Sequence, residues 1–171
     1  MFLDKIPVGD VVNGIVNVVV EIPMNGGSVK YEFDKESGAI VVDRFMNTAF
    51  SYPCNYGFIP HTKGGDGDPL DVLVVSNHAL VPGSVIKTKI IGMIAMEDEG
   101  GMDEKLLAVP IAKLDPSFEH VNSVSDLQSL TIKKIIHFFE HYKDLEPGKW
   151  VKVMGVEGRD AAITLVQSCV L

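Results

Sequence analysis

Cysteine is scarce. Cys54 and Cys169 stand alone and far apart, which excludes a disulfide framework and the close ligand spacing of a zinc knuckle; both are expected to be reduced. No apolar run approaches the roughly 18 residues of a membrane span, so no transmembrane helix is expected. Basic residues are outnumbered, 15 against 23 acids, for a net charge of −8. A chain that grips a phosphate backbone clusters Lys and Arg, so nucleic acid is not the expected partner. The same charge disfavours a free polyanionic substrate unless cations accompany it. The N-terminal MFLDKIPVGD lacks both the basic and the apolar region of a secretory signal, and the expected location is cytoplasmic.

What is present is ordinary in bulk, with 46% hydrophobic and 22% charged residues, the mix of a globular chain. A length of 171 residues suits one domain, 1–171, with a core of useful size. Gly and Pro punctuate the first two-thirds, and short β-branched runs between them read as a meandering sheet or small barrel. Strands are expected at 16–22, 30–34, in AIVVDRF, and at 71–75, 85–94 and 105–109. In KYEFD, Lys30, Glu32 and Asp34 share one face and Tyr31 and Phe33 the other. Helical periodicity comes late: Ile132, Ile135, Ile136, Phe139 and Tyr142 form one apolar stripe ending before Pro147 and Gly148. Ser125 to Gln128 has the form of a capping box upstream, and DAAITLVQSCVL reads as a second helix capped by Asp160. Strands first and helices last give α+β around a closed or nearly closed sheet.

The segment GGDGDPLDVLVV (64–75) crowds Asp66, Asp68 and Asp71 into six positions before a strand that wants burial. Unit charges about 4 Å apart repel by roughly 4 kcal/mol at an effective dielectric of 20. One Asp-Gly pair would be a solvated turn, but three acids against a buried strand are not. An EF-hand loop fails on register, because Leu70 falls on its third ligand position and Asp71 where its glycine belongs. A carboxylate site for several hard divalent ions such as Mg²⁺ relieves the repulsion. EDEGGMDEK (97–105) adds Asp98 on a Gly-rich loop, and Asp103 and Lys105 on one face of a strand head. Lys30, Arg44, Lys105 and Lys143, with the hydroxyls of Tyr52, Tyr56 and Tyr142, could together supply the donors a phosphoryl group demands, although each taken singly reads as a surface lysine or a core tyrosine.

These residues carry a resemblance. EIPMN (21–25), KYEFDKESG (30–38), VDRFM (42–46), YPCNYGFIPHT (52–62), GDGDPLDVLV (65–74) and HFFEHYKDLEPGKWVKV (137–153) are similar to the soluble inorganic pyrophosphatases of the bacterial family I type, and D-G-D-P-L-D fits that family's signature. The resemblance implies a five-stranded OB-like β-barrel with two flanking helices in the C-terminal half. It further implies a cytoplasmic homohexamer and Mg²⁺-dependent hydrolysis of pyrophosphate, which arrives as its magnesium complex. By position, Asp66, Asp71 and Asp103 would hold the tightest metal, with Asp71 bridging to a second ion. Asp98 with Asp103, and Glu32, would meet ions brought by the substrate, with Glu21 and Tyr52 standing behind the ligands. Asp68 resembles the acceptor of the proton from the attacking water. Lys30, Arg44, Tyr56, Tyr142 and Lys143, together with Lys105, resemble the phosphate contacts.

Three other readings compete. His137-Phe-Phe-Glu140-His141 has the spacing of an inverted zinc-peptidase motif, but its polar side chains lie away from the apolar stripe, where a solvated face or a subunit contact would also lie. A cation-binding module without turnover would show no phosphate release. A single-strand binder would need a basic groove with aromatic platforms, whereas these lysines are mixed with acids.

Overall fold

The computed structural model describes residues 3–171, leaving the first two residues of MFLDKIPVGD outside it. In chain order the strands are β1 (Gly9–Asp10), β2 (Ile15–Ile22), β3 (Val29–Phe33), β4 (Ile40–Phe45), β5 (Asn55–Phe58), β6 (Asp71–Val74), β7 (Val85–Asp98), β8 (Gly101–Met102) and β9 (Lys105–Pro110), with β10 (Val151–Gly158) between the two α-helices, α1 (Ser129–His141) and α2 (Arg159–Cys169). The main sheet closes on itself, because the path β2-β5-β6-β9-β7 returns through a β2–β7 pairing. The outcome is the expected mostly-sheet α+β architecture with two helices and a closed ring of five strands, the OB-like arrangement.

Local chemistry explains the closure. VNVVVEI does not alternate because β2 is covered on both faces: Val16 and Val18 pack in the cluster under α2, Ile22 in the one under α1 and Val19 against Phe33 and Phe58, and Val16, Val18, Val19 and Val20 are all fully buried. One set of apolar side chains, including Leu73, Leu107 and Ile94, packs under α1; the other, including Val72, Leu106 and Ile90, packs under α2. Gly57 permits the tight β2–β5 contact: a Cβ there would lie 1.9 Å from the Val19 carbonyl oxygen. β3 and β4 form a separate two-stranded hairpin, tied to β2 by the Phe33 N–H, which donates to Glu21 at 2.7 Å.

Four local readings need correction. α1 is the expected helix, but Phe138 is as deeply buried as Phe139 and belongs in its stripe. The capping box is Ser123 with Asp126, around a short 3-10 turn; Gln128 is itself the N-cap of α1 and makes no side-chain cap bond, so Ser125–Gln128 caps nothing. α2 starts directly off β10 with Gly158 as its extended N-cap, leaving Asp160 in the first turn, where its charge suits the helix dipole. β5 and β10 were not expected as strands.

Candidate active site

The ring brings strand ends to one rim. β6 and β9 run parallel with Val72 opposite Leu106, so the preceding residues, Asp71 and Lys105, stand side by side. β5 pairs Tyr56 with Leu73 and aims its side chain toward the same rim. The hairpin sets Lys30 opposite Arg44, and the end of α1 contributes Tyr142 and Lys143. Every predicted site residue except Asp98 lines one cleft of about 320 Å³. Asp98 lies at its edge, accepting a 2.7 Å bond from Lys143.

The loop that carries the aspartates is shaped by its own polar groups. Gly64 N–H donates to the Asp68 carbonyl at 2.7 Å, Asp68 N–H donates to the Asp66 carboxylate at 3.0 Å, and Gly67 takes a φ of 93°, which glycine adopts without a Cβ clash. Buried Thr62 fastens both ends, accepting from Leu70 N–H and donating to Ile59 O.

Acids and bases interleave throughout the cleft. Lys105 donates to Asp71 and, at 2.6 Å, to Asp103. Lys30 pairs with Glu32 and, at 3.0 Å, with Asp43. Arg44 lies 3.2 Å from Glu146, and Lys143 and Lys149 converge on Glu99. Burial pushes Glu21 up to about 7 and raises Asp103, although Lys105 pulls against that rise. Burial would lower Lys105 and Lys30, yet their carboxylate neighbours hold both above the ordinary lysine value. The phenols of Tyr52, Tyr56 and Tyr142 are raised by burial and remain hydroxyl donors at neutral pH. Their placement comes from packing: Phe138 of α1 lies 4.6 Å from Tyr52 and stacks on Tyr142 at 5.1 Å between ring centroids.

Sequence reading missed Lys35, 3.4 Å from Asp68, and the carboxylates Asp43, Glu99 and Glu146 that hold the cleft's cations. The pairs join residues distant in sequence, and no local pattern marks them. Among the described residues no three His, Cys, Asp or Glu side chains converge on one point; in the cleft, the Lys105 ammonium stands between Asp71 and Asp103. Of the candidate zinc residues, the His137 and His141 rings lie 4.6 Å apart, but His141 Nδ1 is 2.9 Å from Asp144 and, among the described residues, these side chains do not gather as a three-ligand site. A larger cleft of about 490 Å³ runs beside α1, but its one lining carboxylate, Asp126, is spent on the backbone of Asn122 and Ser123.

Carboxylate oxygens among lysines, an arginine and phenols, at the rim of a closed sheet, make a cleft suited to a phosphoryl group and its cations. The inorganic pyrophosphatase family model matches residues 18–171. The inorganic pyrophosphatase of Rickettsia bellii is 60% identical over 167 residues, spanning 98% of this chain and 95% of its own length; that of Agrobacterium fabrum is 52% identical over 166 residues, 97% and 94% of the two chains. The crystal structure of an inorganic phosphatase from Anaplasma phagocytophilum superposes with a TM-score of 0.94 at 45% identity over 97% of each chain. That of the Thermus thermophilus inorganic pyrophosphatase gives 0.92 at 44% identity over 98% of this chain and 96% of its own. The chain belongs to the inorganic pyrophosphatase family, whose enzymes hydrolyse pyrophosphate.

Proposed function

We propose that this chain, as one domain over residues 1–171, hydrolyses magnesium pyrophosphate to two orthophosphates with Mg²⁺ as cofactor, and that the cleft holding Asp66, Asp68, Asp71 and Asp103 performs the reaction. The observation carrying this reading is the gathering of nearly all the expected side chains in that one cleft. The donor set suits a hard divalent ion: the lining offers carboxylate and phenol oxygens and contains no imidazole or thiol. Asp66, Asp71 and Asp103 would hold the first ion, and Glu32 and Asp98 would meet those that come with substrate. Bound there, the ions lower the pKa of water and neutralise phosphoryl charge.

The chain's own residues do the rest. Lys30, Arg44, Lys105, Lys143, Tyr56 and Tyr142 grip phosphoryl oxygens and hold the phosphorus in line with its attacker. Water oxygen bonds to one phosphorus, the bridging P–O bond breaks, and the water proton passes to Asp68. That carboxylate is well exposed and has Lys35 beside it. Glu21 fixes β3 through Phe33 and so sets the position of Lys30. Exposed apolar side chains such as Phe45 and Leu130 are in keeping with assembly into a homohexamer, and two free cysteines with a reducing, cytoplasmic setting.

Asp68→Asn tests the roles: it should bind Mg²⁺ in calorimetry as the parent does, while kcat falls by about 10² to 10⁴, the usual worth of a positioned base. Near-parental kcat would reassign the proton acceptor. Lys30→Ala should raise KM; unchanged KM and kcat would remove Lys30 from the site.

A further inference from the structure

Arg44 is the one guanidinium of the cleft, and it rides on the β3–β4 hairpin, outside the closed ring. Two carboxylates face it. Asp43, its neighbour in sequence, is 4.0 Å from Nε and is already engaged by Lys30 at 3.0 Å. Glu146 is 3.2 Å from Nη1, with its side chain only 12% exposed. Among the described residues, Arg44 Nε and Glu146 Oε1 are buried atoms without a hydrogen-bond partner. The pair is therefore a single-point contact, not the two-bond fork that arginine and carboxylate prefer. Nε, buried and unpaired, adds no second bond to hold the guanidinium.

Glu146 also sits in a telling place. Its N–H donates to the Lys143 carbonyl at 2.9 Å and its own carbonyl accepts from Lys149, so it belongs to the turn that leaves α1 with Tyr142 and Lys143. The contact with Arg44 bridges that turn and the hairpin, the two pieces that bring phosphate-binding groups to the ring from outside it.

We infer that Glu146 is a positioning residue: it holds the Arg44 guanidinium at the cleft and locks the hairpin to the Tyr142–Lys143 turn, so that both halves meet the substrate together. This rests on the proposed role of Arg44 as a phosphate contact.

Steady-state kinetics on pyrophosphate with E146Q, E146D, R44A and R44A/E146Q tests it. Losing one charge-assisted anchor should raise KM by about tenfold in E146Q, with kcat changing far less and the melting temperature close to the parent's. E146D, which keeps the charge on a shorter arm, should fall between E146Q and the parent. If Glu146 works through Arg44, adding E146Q to R44A should change KM by less than about twofold. Full additivity of the two substitutions, or a parental KM in E146Q, overturns the inference while leaving Arg44 in the site. A parental KM in R44A removes Arg44 from substrate binding and takes the inference with it.

Discussion

Replacing Lys105 with methionine removes the cation that stands between Asp71 and Asp103. The Lys105 side chain is 6% exposed; its ammonium bonds Asp71, lies 2.6 Å from Asp103 and stands 5.7 Å from the Tyr56 ring centroid. Without it, two carboxylates face each other with no cation between them. Breaking a buried pair costs about 3–5 kcal/mol, and because Asp71 and Asp103 keep some solvent contact the lower figure applies. At about 2–4 °C per kcal/mol for a chain of this size, metal-free K105M should melt roughly 6–12 °C below the parent at neutral pH. Two dependences follow. Asp103 already has a raised pKa, and the substitution raises it further. Its destabilising charge then appears as pH rises through that value, so the deficit should shrink as pH falls toward the carboxylate range. Mg²⁺, if it sits on the same carboxylates, should stabilise K105M more than the parent and narrow the gap. Scanning calorimetry with chelator and with Mg²⁺, at two pH values, measures all three. Equal melting of parent and variant in chelator, or equal Mg²⁺ shifts in both, would refute the idea that Lys105 is the internal counter-ion of Asp71 and Asp103.

Glu21→Gln should behave oppositely with pH. Glu21 rises from 4.5 to about 7 on folding, so its cost is absent below the unfolded value and complete above the folded one, with a ceiling of roughly 3 kcal/mol; the metal-free glutamine variant should melt higher than the parent at pH 8 and alike at pH 4. Gly57→Ala should cost about 3 kcal/mol or more, since the new methyl meets backbone atoms of Val19 and Val20 and β2 must part from β5; a melting point near the parent's would show that the two strands separate easily. Burial pushes the Cys54 thiol up to about 12, so at pH 8 an aromatic disulfide reagent should find no more than one thiol per folded chain and two after denaturation; two fast thiols in the native protein would contradict the packing around Cys54.

The acidic loop was legible because its charges are close in sequence and repel unless something cationic meets them, and the fold does bring Asp66, Asp68 and Asp71 into one cleft. β2 and α1 were legible from runs and stripes that burial imposes. β10 was not, since only Val151 and Val153 pack under α1, half-buried Gly155 offers no side chain at the next inward position, and apolar Met154 and Val156 fall on the exposed face. β5 is four residues long and opens with Asn55, a buried amide that accepts from Met24 and Leu80 N–H and donates to the His78 carbonyl. No propensity reveals such a polar pin. The carboxylates behind the cations were hidden for a further reason: Glu99 and Lys143, or Arg44 and Glu146, become neighbours only after the ring closes and α1 docks. Composition argued against an anionic substrate free of cations, but only the fold shows which acid restrains which base.

The most direct measurement is orthophosphate release from pyrophosphate by the purified protein as Mg²⁺ is titrated from zero, with ATP as the control substrate. The account predicts release that is absent in chelator, rises with Mg²⁺ and greatly exceeds release from ATP. Release that persists undiminished in chelator, or none at any Mg²⁺ concentration, would contradict it.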